Sequence, residues 1–257
     1  MPSFHFCQMI LQCGKYRLAF DRPLIMGVVN VTPDSFSDGG HYLRHDAAVA
    51  HARQLIDEGA DLLDIGGEST RPGAAAVSLE EERRRVLPVL EALLSANIPL
   101  SIDTQKPELM REAAVAGAAM INDVNGFEAA DALQAVSGSD CAVCIMHKQG
   151  QPQTMQQAPQ YRDVVAEVDT YLRSRIAAAE AAGIARSRLV IDPGFGFGKT
   201  LAHNLSLLRE LDRVAAAGVP VLAGLSRKSM IGALTGREVG DRVFGSIAAA
   251  LIAAQRG

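Results

Sequence analysis

The sequence has no excess of positive charge and no long hydrophobic run. Its 25 lysine and arginine residues are outnumbered by 29 aspartate and glutamate residues, and the formal net charge is −4. Because there is no broad basic field, we expect neither a nucleic acid nor a membrane as partner. The first residues lack a basic stretch followed by an apolar one, and no later run could span a bilayer. We therefore expect a cytoplasmic protein that acts on small molecules.

Cysteine is scarce, with four residues in 257. Cys141 and Cys144 have the CxxC spacing of some redox and metal sites. They lie in the apolar run CAVCIM, which predicts a buried strand. Residues three apart on a strand point to opposite faces, so they cannot share one ion. We expect these cysteines to be small core residues.

The length and composition fit one globular domain. Hydrophobic residues make up 48% of the chain and charged residues 21%, which argues against a disordered or fibrous protein. No segment resembles an interdomain linker, and α/β barrels commonly have about 250 residues. We therefore expect residues 1–257 to form a single domain.

Apolar runs of strand length alternate with segments of helical spacing along the chain. The runs are nearly continuous in apolar residues, as strands of a parallel sheet are. Repeated units of this kind give an open sheet or a closed barrel, and polar segments after nearly every strand favour a TIM-type α/β barrel. The predicted strands are residues 24–29, 62–65, 98–102, 119–121, 142–146, 189–191 and 221–225.

Two further segments precede these units and predict a short β-hairpin. They are residues 4–12 and 16–20, on either side of Cys13, Gly14 and Lys15. We expect this hairpin to close the bottom of the barrel.

Polar side chains follow most of the predicted strands. A carboxylate at the end of an apolar strand loses its water unless it finds a partner, so several at one mouth indicate a polar ligand or a metal ion. Any one of them alone could be a helix cap or a structural hydrogen bond. The strand-end residues are Asn30, Asp64, Asp103, Asn122, His147, Asp192 and Lys228.

The chemistry of these side chains narrows the ligand class. Asp103, Asn122, Asp192 and Lys228 combine acceptors with donors, which suits the edge of a nitrogen-rich heterocycle without specifying which one. Cations near the same mouth suggest a carboxylate or phosphate on the ligand, although each alone fits a solvated position. These cations are Arg71, Lys199, Arg227 and Lys228.

Three loops stand out. The loop at 192–200 ends in Gly-Lys-Thr, but a Walker loop needs glycine five positions before Gly198, where this chain has Pro193. We expect a flexible loop that covers a ligand instead. Loops 31–42 and 66–77 are long and rich in Gly, Ser, Thr and Pro, which is typical of lids over barrel mouths.

Six segments resemble, almost letter for letter, those of the dihydropteroate synthase family. They follow one another at the spacing of barrel units. The resemblance implies condensation of p-aminobenzoate with 6-hydroxymethyl-7,8-dihydropterin diphosphate to dihydropteroate and pyrophosphate, sensitivity to sulfonamides, and a homodimer. The segments are GVVNVTPDSFSDGG at 27–40, DIGGESTRPGA at 64–74, SIDTQK at 101–106, NDVNG at 122–126, DPGFGFGK at 192–199 and GLSRKSMIG at 224–232.

The resemblance also implies roles for individual residues. Asn30 matches an asparagine that binds Mg²⁺ beside the diphosphate, and diphosphate departure precedes attack by the arylamine. Asp103, Lys228 and Arg71 are the implied catalytic residues. The implied pterin contacts are Asp103, Asn122, Met146, Asp192 and Lys228; Thr70 is an implied substrate contact, and Phe36, Arg71, Pro72, Phe197 and Ser229 are implied to form the p-aminobenzoate pocket.

The sequence departs from the family at its end. The family pattern has an eighth strand that ends in an Arg-x-His motif and grips the diphosphate, and neither occurs here. We therefore expect a (β/α)8 barrel whose eighth unit is absent from this chain, with two exposed sheet edges. Two alternatives to the synthase stay open: a truncated pterin-binding protein without turnover, and a methyltetrahydrofolate methyltransferase-type barrel, against which NVTPDSFSDGG speaks.

Overall fold

Strands and helices alternate in a computed structural model of the chain, which describes residues 9–32, 41–69, 76–150, 155 and 158–257. This confirms the predicted alternation. The strands in these ranges are β1 (Ile10–Cys13), β2 (Tyr16–Ala19), β3 (Met26–Asn30), β4 (Leu62–Gly66), β5 (Leu100–Asp103), β6 (Met120–Asp123), β7 (Ala142–Met146) and β8 (Leu189–Asp192). The helices are α1 (His41–Asp57), α2 (Leu79–Leu93), α3 (Pro107–Ala116), α4 (Ala132–Ser137), α5 (Val164–Ala181), α6 (Leu201–Arg209), α7 (Leu211–Ala215), α8 (Ser229–Thr235) and α9 (Val243–Arg256).

Strands β3 to β8 form one parallel sheet, in which each strand pairs with the next one along the chain. Strands β4, β7 and β8 are buried along their whole length, which explains their apolar sequences. Parallel neighbours need a crossover connection, and the intervening helices supply it. The carboxyl ends of all six strands therefore lie at one edge of the sheet.

The predicted strand at 221–225 is too long. Only Val221 pairs with β8, opposite Ile191, and Leu222 N donates to Ile191 O at 2.8 Å. The next hydrogen bond of a parallel ladder would need the backbone N–H of residue 193. Pro193 has no N–H, so the pairing ends after one step.

An inner apolar cluster shows that the sheet is curled. The hairpin residues Leu11 and Cys13 belong to it, and Met26 near one end of the sheet and Leu222 at the other both pack against it. Cys13 Sγ also donates to Ala119 O, just before β6, at 3.3 Å. The hairpin therefore lies over the amino-terminal ends of the strands, which confirms its predicted position. Residues 4–8 of the predicted hairpin lie outside the described residues.

The backbone hydrogen bonds do not close into a ring within the described ranges. Strand β3 pairs only with β4, and its Val28 side chain is 53% exposed. The described strands thus have the curvature of a barrel and the pairing of an open six-stranded sheet.

A second, larger cluster lies between the sheet and the helices. Cys141 belongs to this outer cluster and Cys144 to the inner one, so the two residues face opposite sides of β7, as predicted. Together with Cys13 they are free and buried. The CxxC pair is therefore a core feature.

The helix ends follow local chemistry. Ser78 Oγ accepts a hydrogen bond from Glu81 N at 3.3 Å, Pro107 occupies the first turn of α3, and Gly117 ends that helix with a φ of 107°. A polar cap, a residue without an N–H and a glycine suit these positions. Within the described ranges, none of the helices combines the length and the apolar character needed to cross a membrane.

Candidate active site

Three predicted site residues lie in one row across neighbouring strand ends. Asn30 of β3 is opposite Gly66 of β4, Gly66 is opposite Asp103 of β5, and Asp103 is opposite Asn122 of β6. Side chains alternate between the two faces of a sheet. Met120, two residues before Asn122, belongs to the inner cluster. The row therefore faces the inside of the curled sheet, at its mouth.

Asp64 lies one layer deeper and contacts this row. Its Oδ2 accepts a hydrogen bond from Asn122 Nδ2 at 2.9 Å, while Oδ1 has no partner in the described part of the chain. Burial raises the pKa of Asp64, and the hydrogen bond from Asn122 opposes the rise. The sequence placed Asp64 at the mouth without a role. Its bond shows that it orients the Asn122 amide.

The pKa of Asp103 is raised well above its ordinary value. Desolvation is the largest cause, and the negative charges of Asp64 and Asp123 add to it. Neighbouring carboxylates disfavour each other's ionisation. This side of the mouth therefore favours a ligand that brings N–H donors or positive charge.

Asp192 and Met146 lie on the other side of the mouth, opposite each other on β8 and β7. Asp192 Oδ1 accepts a hydrogen bond from Gly194 N at 2.7 Å. Burial raises the pKa of Asp192 to about 6, although this hydrogen bond and the charge of Lys228 oppose the rise. Met146 is only 5% exposed. A buried acceptor and an apolar side chain are thus adjacent here.

Lys228 and Phe197 contact each other at the same mouth. Lys228 Nζ lies 4.4 Å from the centroid of the Phe197 ring, within the range of a cation–π interaction. Burial lowers the pKa of Lys228, and the charge of Asp192 opposes this. Ser229, the first residue of α8, is exposed. The aromatic face of Phe197, the cation of Lys228 and the hydroxyl-bearing residue next to it in sequence, Ser229, therefore belong to one region of the mouth.

The loop after β8 packs closely against the end of β7, and the flexible, ligand-covering role that we predicted for it stays a prediction. Gly194 and Gly198 have φ values of 69° and 62°. A Cβ on Gly194 would lie 1.9 Å from His147 O, and one on Gly198 would lie 2.3 Å from Gln149 O. Only glycine permits this backbone shape and such a close approach to the end of β7.

Lys199 is not the ligand-facing cation that the sequence suggested. The residue is 3% exposed, and its Nζ donates to Gly194 O at 3.0 Å and to Phe197 O at 3.1 Å. It also lies 2.9 Å from His147 Nδ1. Arg227, by contrast, is exposed beside Lys228. Sequence position could not separate these cations, because their burial depends on distant segments.

A buried ionic cluster that the sequence analysis missed holds the start of the second loop. Lys106 Nζ donates to Glu68 Oε2 at 2.5 Å and also to Glu82, which is fully buried. Arg85 donates to Gly67 O at 2.8 Å. Lys106 and Glu68 could have been found from the sequence, since they belong to two of the motifs. Glu82 could not, because it is one of three consecutive glutamates in the first turn of α2 and the sequence does not distinguish it from the other two.

Four predicted site residues lie outside the described residues. They are Phe36 of the first loop and Thr70, Arg71 and Pro72 of the second. The structure describes the roots of both loops, which are joined by a hydrogen bond from Val31 N to Gly66 O at 2.8 Å. The lid function of these loops stays a prediction.

Asn30 is the residue predicted to bind a metal ion, and it is exposed at the end of β3. Among the described residues, no group of three or more His, Cys, Asp or Glu side chains could hold a metal ion. Mg²⁺ usually keeps several waters and binds substrate phosphates with one or two protein oxygens. A single exposed amide oxygen therefore fits an ion that arrives with a diphosphate.

Comparisons with known proteins agree with this geometry. The family model described as "Pterin binding enzyme" matches residues 26–257. Dihydropteroate synthase of Escherichia coli K12 is 51% identical over 241 residues, which cover 93% of this chain and 86% of that protein. The match to the family model therefore includes every described strand from β3 onward.

Solved dihydropteroate synthases share the fold. That of Xanthomonas albilineans with 4-aminobenzoic acid has a TM-score of 0.92 and 58% identity, covering 98% of this chain and 90% of that one. Its complex with 7,8-dihydropteroate has a TM-score of 0.88 and 56% identity, covering 96% and 90%. The Yersinia pestis enzyme with a sulfonamide drug has a TM-score of 0.90 and 48% identity, covering 96% and 90%.

These matches confirm the predicted TIM-type barrel class, and they extend over the strand ends that carry the polar mouth. A methyltetrahydrofolate methyltransferase-type barrel would not explain 51% identity to a dihydropteroate synthase over nearly the whole chain. The chain belongs to the dihydropteroate synthase family of pterin-binding transferases.

Proposed function

We propose that the protein condenses 6-hydroxymethyl-7,8-dihydropterin diphosphate with p-aminobenzoate, giving 7,8-dihydropteroate and pyrophosphate in folate biosynthesis. The carrying observation is that Asp103 and Asn122 face Asp192 and Lys228 across one mouth of the sheet. The complexes of related enzymes with 4-aminobenzoic acid and 7,8-dihydropteroate support the same substrates.

The pterin ring fits the polar mouth. Its amino group and ring N–H groups are donors that match the acceptors of Asp103 and Asp192, and its carbonyl oxygen and ring nitrogens are acceptors that match Lys228 and the Asn122 amide. Such donors would offset the desolvation that, together with neighbouring negative charges, raises the pKa of Asp103. Met146 would cover one face of the ring. This assignment supports pterin binding deep in the mouth.

The p-aminobenzoate would bind nearer the surface. Phe197 offers an aromatic face and Ser229 an exposed hydroxyl, next to the cation of Lys228. Phe36, Arg71 and Pro72, with Thr70 as a further substrate contact, are proposed to complete this region from the loops outside the described residues. Sulfonamides resemble p-aminobenzoate in shape, so we propose that they compete for this region.

The reaction needs charge stabilisation more than acid or base catalysis. The C–O bond to the diphosphate breaks with its electron pair on the leaving group, the amine nitrogen then forms a C–N bond to the methylene, and the amine loses a proton. Asp103 would stabilise the positive charge that develops on the pterin, while Lys228 and Arg71 would bind the anionic groups. A preorganised carboxylate in a partly dry site does this effectively.

Mg²⁺ is proposed as the cofactor, held by the Asn30 side chain together with the diphosphate. When bound there, the ion would neutralise charge on the leaving group. We further propose a cytoplasmic homodimer in which residues 1–257 belong to one barrel domain.

Asp103→Asn tests the function, since it keeps the shape of the side chain and removes its charge. We expect kcat to fall by at least about tenfold, or roughly 1.4 kcal/mol of transition-state stabilisation, while the pterin Kd changes less than about threefold. Steady-state assays of pyrophosphate release and calorimetry of pterin binding measure the two effects. Asp57→Asn on the exposed side of α1 is the control and should behave as the wild type.

Equal turnover by Asp103→Asn and the wild type would contradict this role. A wild-type protein that binds the pterin diphosphate without releasing pyrophosphate would favour the non-catalytic alternative. Methyl transfer from methyltetrahydrofolate would favour the methyltransferase alternative.

A further inference from the structure

The ammonium group of Lys199 joins the loop after β8 to the end of β7. Its Nζ donates to Gly194 O at 3.0 Å and Phe197 O at 3.1 Å, lies 2.9 Å from His147 Nδ1, and is 3.4 Å from His147 O. Four acceptors therefore surround a group that has three protons. A neutral methyl or thioether in the same place could make none of these bonds.

The surroundings favour a neutral histidine. Burial lowers the pKa of Lys199 to about 7, while the charge of Asp192 opposes this and the four acceptors around Nζ suit its protonated form. Burial and, to a smaller extent, the charge of Lys199 lower the pKa of His147 to about 3. A neutral imidazole has one nitrogen with a free lone pair, so Nδ1 can accept from the ammonium group. The Tyr171 and His147 rings pack at nearly a right angle with 4.9 Å between their centroids, which holds the imidazole in place.

The loop is built around this contact. Its glycines press against the carbonyls of His147 and Gln149, and Tyr161 Oη donates to Gly198 O at 3.0 Å. The bond to Phe197 O fixes the residue whose ring lies 4.4 Å from Lys228 Nζ. A substitution of Lys199 would therefore displace Phe197 more than the proposed pterin contacts on β5 and β6.

We propose that Lys199 is a positioning residue for the condensation: its ammonium group, bound to His147 and to the carbonyls of Gly194 and Phe197, holds the Phe197 ring where p-aminobenzoate binds. The inference rests on the proposed function. Lys199 itself touches no substrate, because its ammonium group is enclosed by the protein.

Lys199→Met removes the ammonium group and keeps most of the side-chain volume. We expect the KM for p-aminobenzoate to rise at least about tenfold while the KM for the pterin diphosphate stays within about threefold, because displacement of a positioning side chain by an ångström has effects of this order. Hydrogen exchange of the backbone amides in residues 194–199 should become at least about tenfold faster, since the loop loses its central bonds.

Arg188→Met is the matched control. Arg188 is also a buried cation, 8% exposed, and donates to the carbonyls of Val136, Ser137 and Cys141 at the opposite end of β8. This variant should lose thermal stability, as Lys199→Met should, but keep both KM values and the exchange rates of residues 194–199. Stability loss alone is thereby separated from positioning.

A second pair keeps the test open if Lys199→Met does not fold. His147→Asn retains an acceptor near the position of Nδ1 and should stay within about twofold of the wild-type KM for p-aminobenzoate, whereas His147→Leu removes it and should raise this KM by about threefold or more. Equal behaviour of the two His147 variants would count against the proposal.

An unchanged KM for p-aminobenzoate in Lys199→Met would overturn the inference. So would parallel rises of both KM values that Arg188→Met reproduces. If the wild-type protein shows no condensation at all, it is the proposed function that fails, and the exchange rates of residues 194–199 still decide whether Lys199 holds the loop.

Discussion

At the scale of single residues, the buried charges of the mouth differ in what surrounds them. The ammonium group of Lys199 is fully bonded, whereas one oxygen of Asp64 has no partner among the described residues. Asp192 is 7% exposed and its Oδ1 accepts one backbone N–H. Burying a carboxylate with so few partners costs stability, and a ligand with donors would recover part of it.

Asp192→Asn should change how stability depends on pH. The folded protein binds a proton at Asp192 more tightly than the unfolded chain, since burial raises its pKa from 3.8 to about 6. The stability that comes from this proton is present below about pH 4 and is lost as the pH rises through about 6. The neutral variant lacks this loss. From pH 4 to 7, its free energy of unfolding should therefore gain on the wild type by about 3 kcal/mol at most.

Urea denaturation without substrate, over a series of pH values, measures this difference. Asp61→Asn is a control of opposite sign, because the hydrogen bond from Arg22 lowers the pKa of Asp61. That variant should lose stability relative to the wild type as the pH rises from acid to neutral. Parallel pH curves for Asp192→Asn and the wild type would refute the prediction.

At the scale of elements, the loop after β8 shows why glycine positions matter in the motif DPGFGFGK. The loop must pass the end of β7 at a distance that leaves no room for a Cβ. Its conformation places Phe197 at the mouth and Lys199 in the interior, although the two are separated by one residue. The spacing of the glycines therefore determines that Phe197 lies at the mouth and that Lys199 is buried in the interior.

Gly194→Ala should be strongly destabilising. Gly194 has a φ of 69°, and a Cβ would lie 1.9 Å from His147 O, a backbone atom that cannot rotate away. Gly236 is the matched control, since its φ is 66° and a Cβ there would meet nothing within 4 Å. We expect Gly236→Ala to cost about 1–2 kcal/mol for the left-handed backbone, and Gly194→Ala at least about 2 kcal/mol more. Chemical denaturation compares the two, and equal losses would show that the loop moves aside freely.

At the scale of the whole molecule, the hairpin and the sheet share one interior. Leu11 is 2% exposed and belongs to the cluster that strands β4, β6, β7 and β8 also form. The hairpin is therefore part of the core rather than an appendage, and the mouth with its buried carboxylates stands on the same cluster.

Leu11→Ala should lower the stability of the entire protein. Truncation of a buried leucine costs about 2–5 kcal/mol, and the loss should appear in one cooperative transition. Ile10→Ala, next to it and 46% exposed, should cost less than about 1 kcal/mol. Circular dichroism and tyrosine fluorescence during urea unfolding measure both variants. Separate transitions for the two probes in Leu11→Ala would mean that the hairpin unfolds independently.

The sequence alone determined the barrel class, the order of the strands and the polar mouth. Parallel strands buried on both faces need continuous apolar runs, and these are visible without coordinates. Asp103, Asn122 and Asp192 were identifiable because each follows such a run directly. The hairpin was also predictable, because the turn at Gly14 and the two segments beside it are adjacent in the sequence.

Only the tertiary structure decided which polar residues lie at the mouth and which are enclosed in the interior. Lys199 and Lys228 are equivalent in the sequence, each next to a glycine-rich or basic loop, but one of the acceptors around the Lys199 ammonium group is Nδ1 of His147, 52 residues away. Likewise, the strand at residue 221 ends early because its neighbour across the sheet is Pro193. Burial and hydrogen bonding depend on pairs of residues that the fold brings together, and local sequence patterns do not contain those pairs.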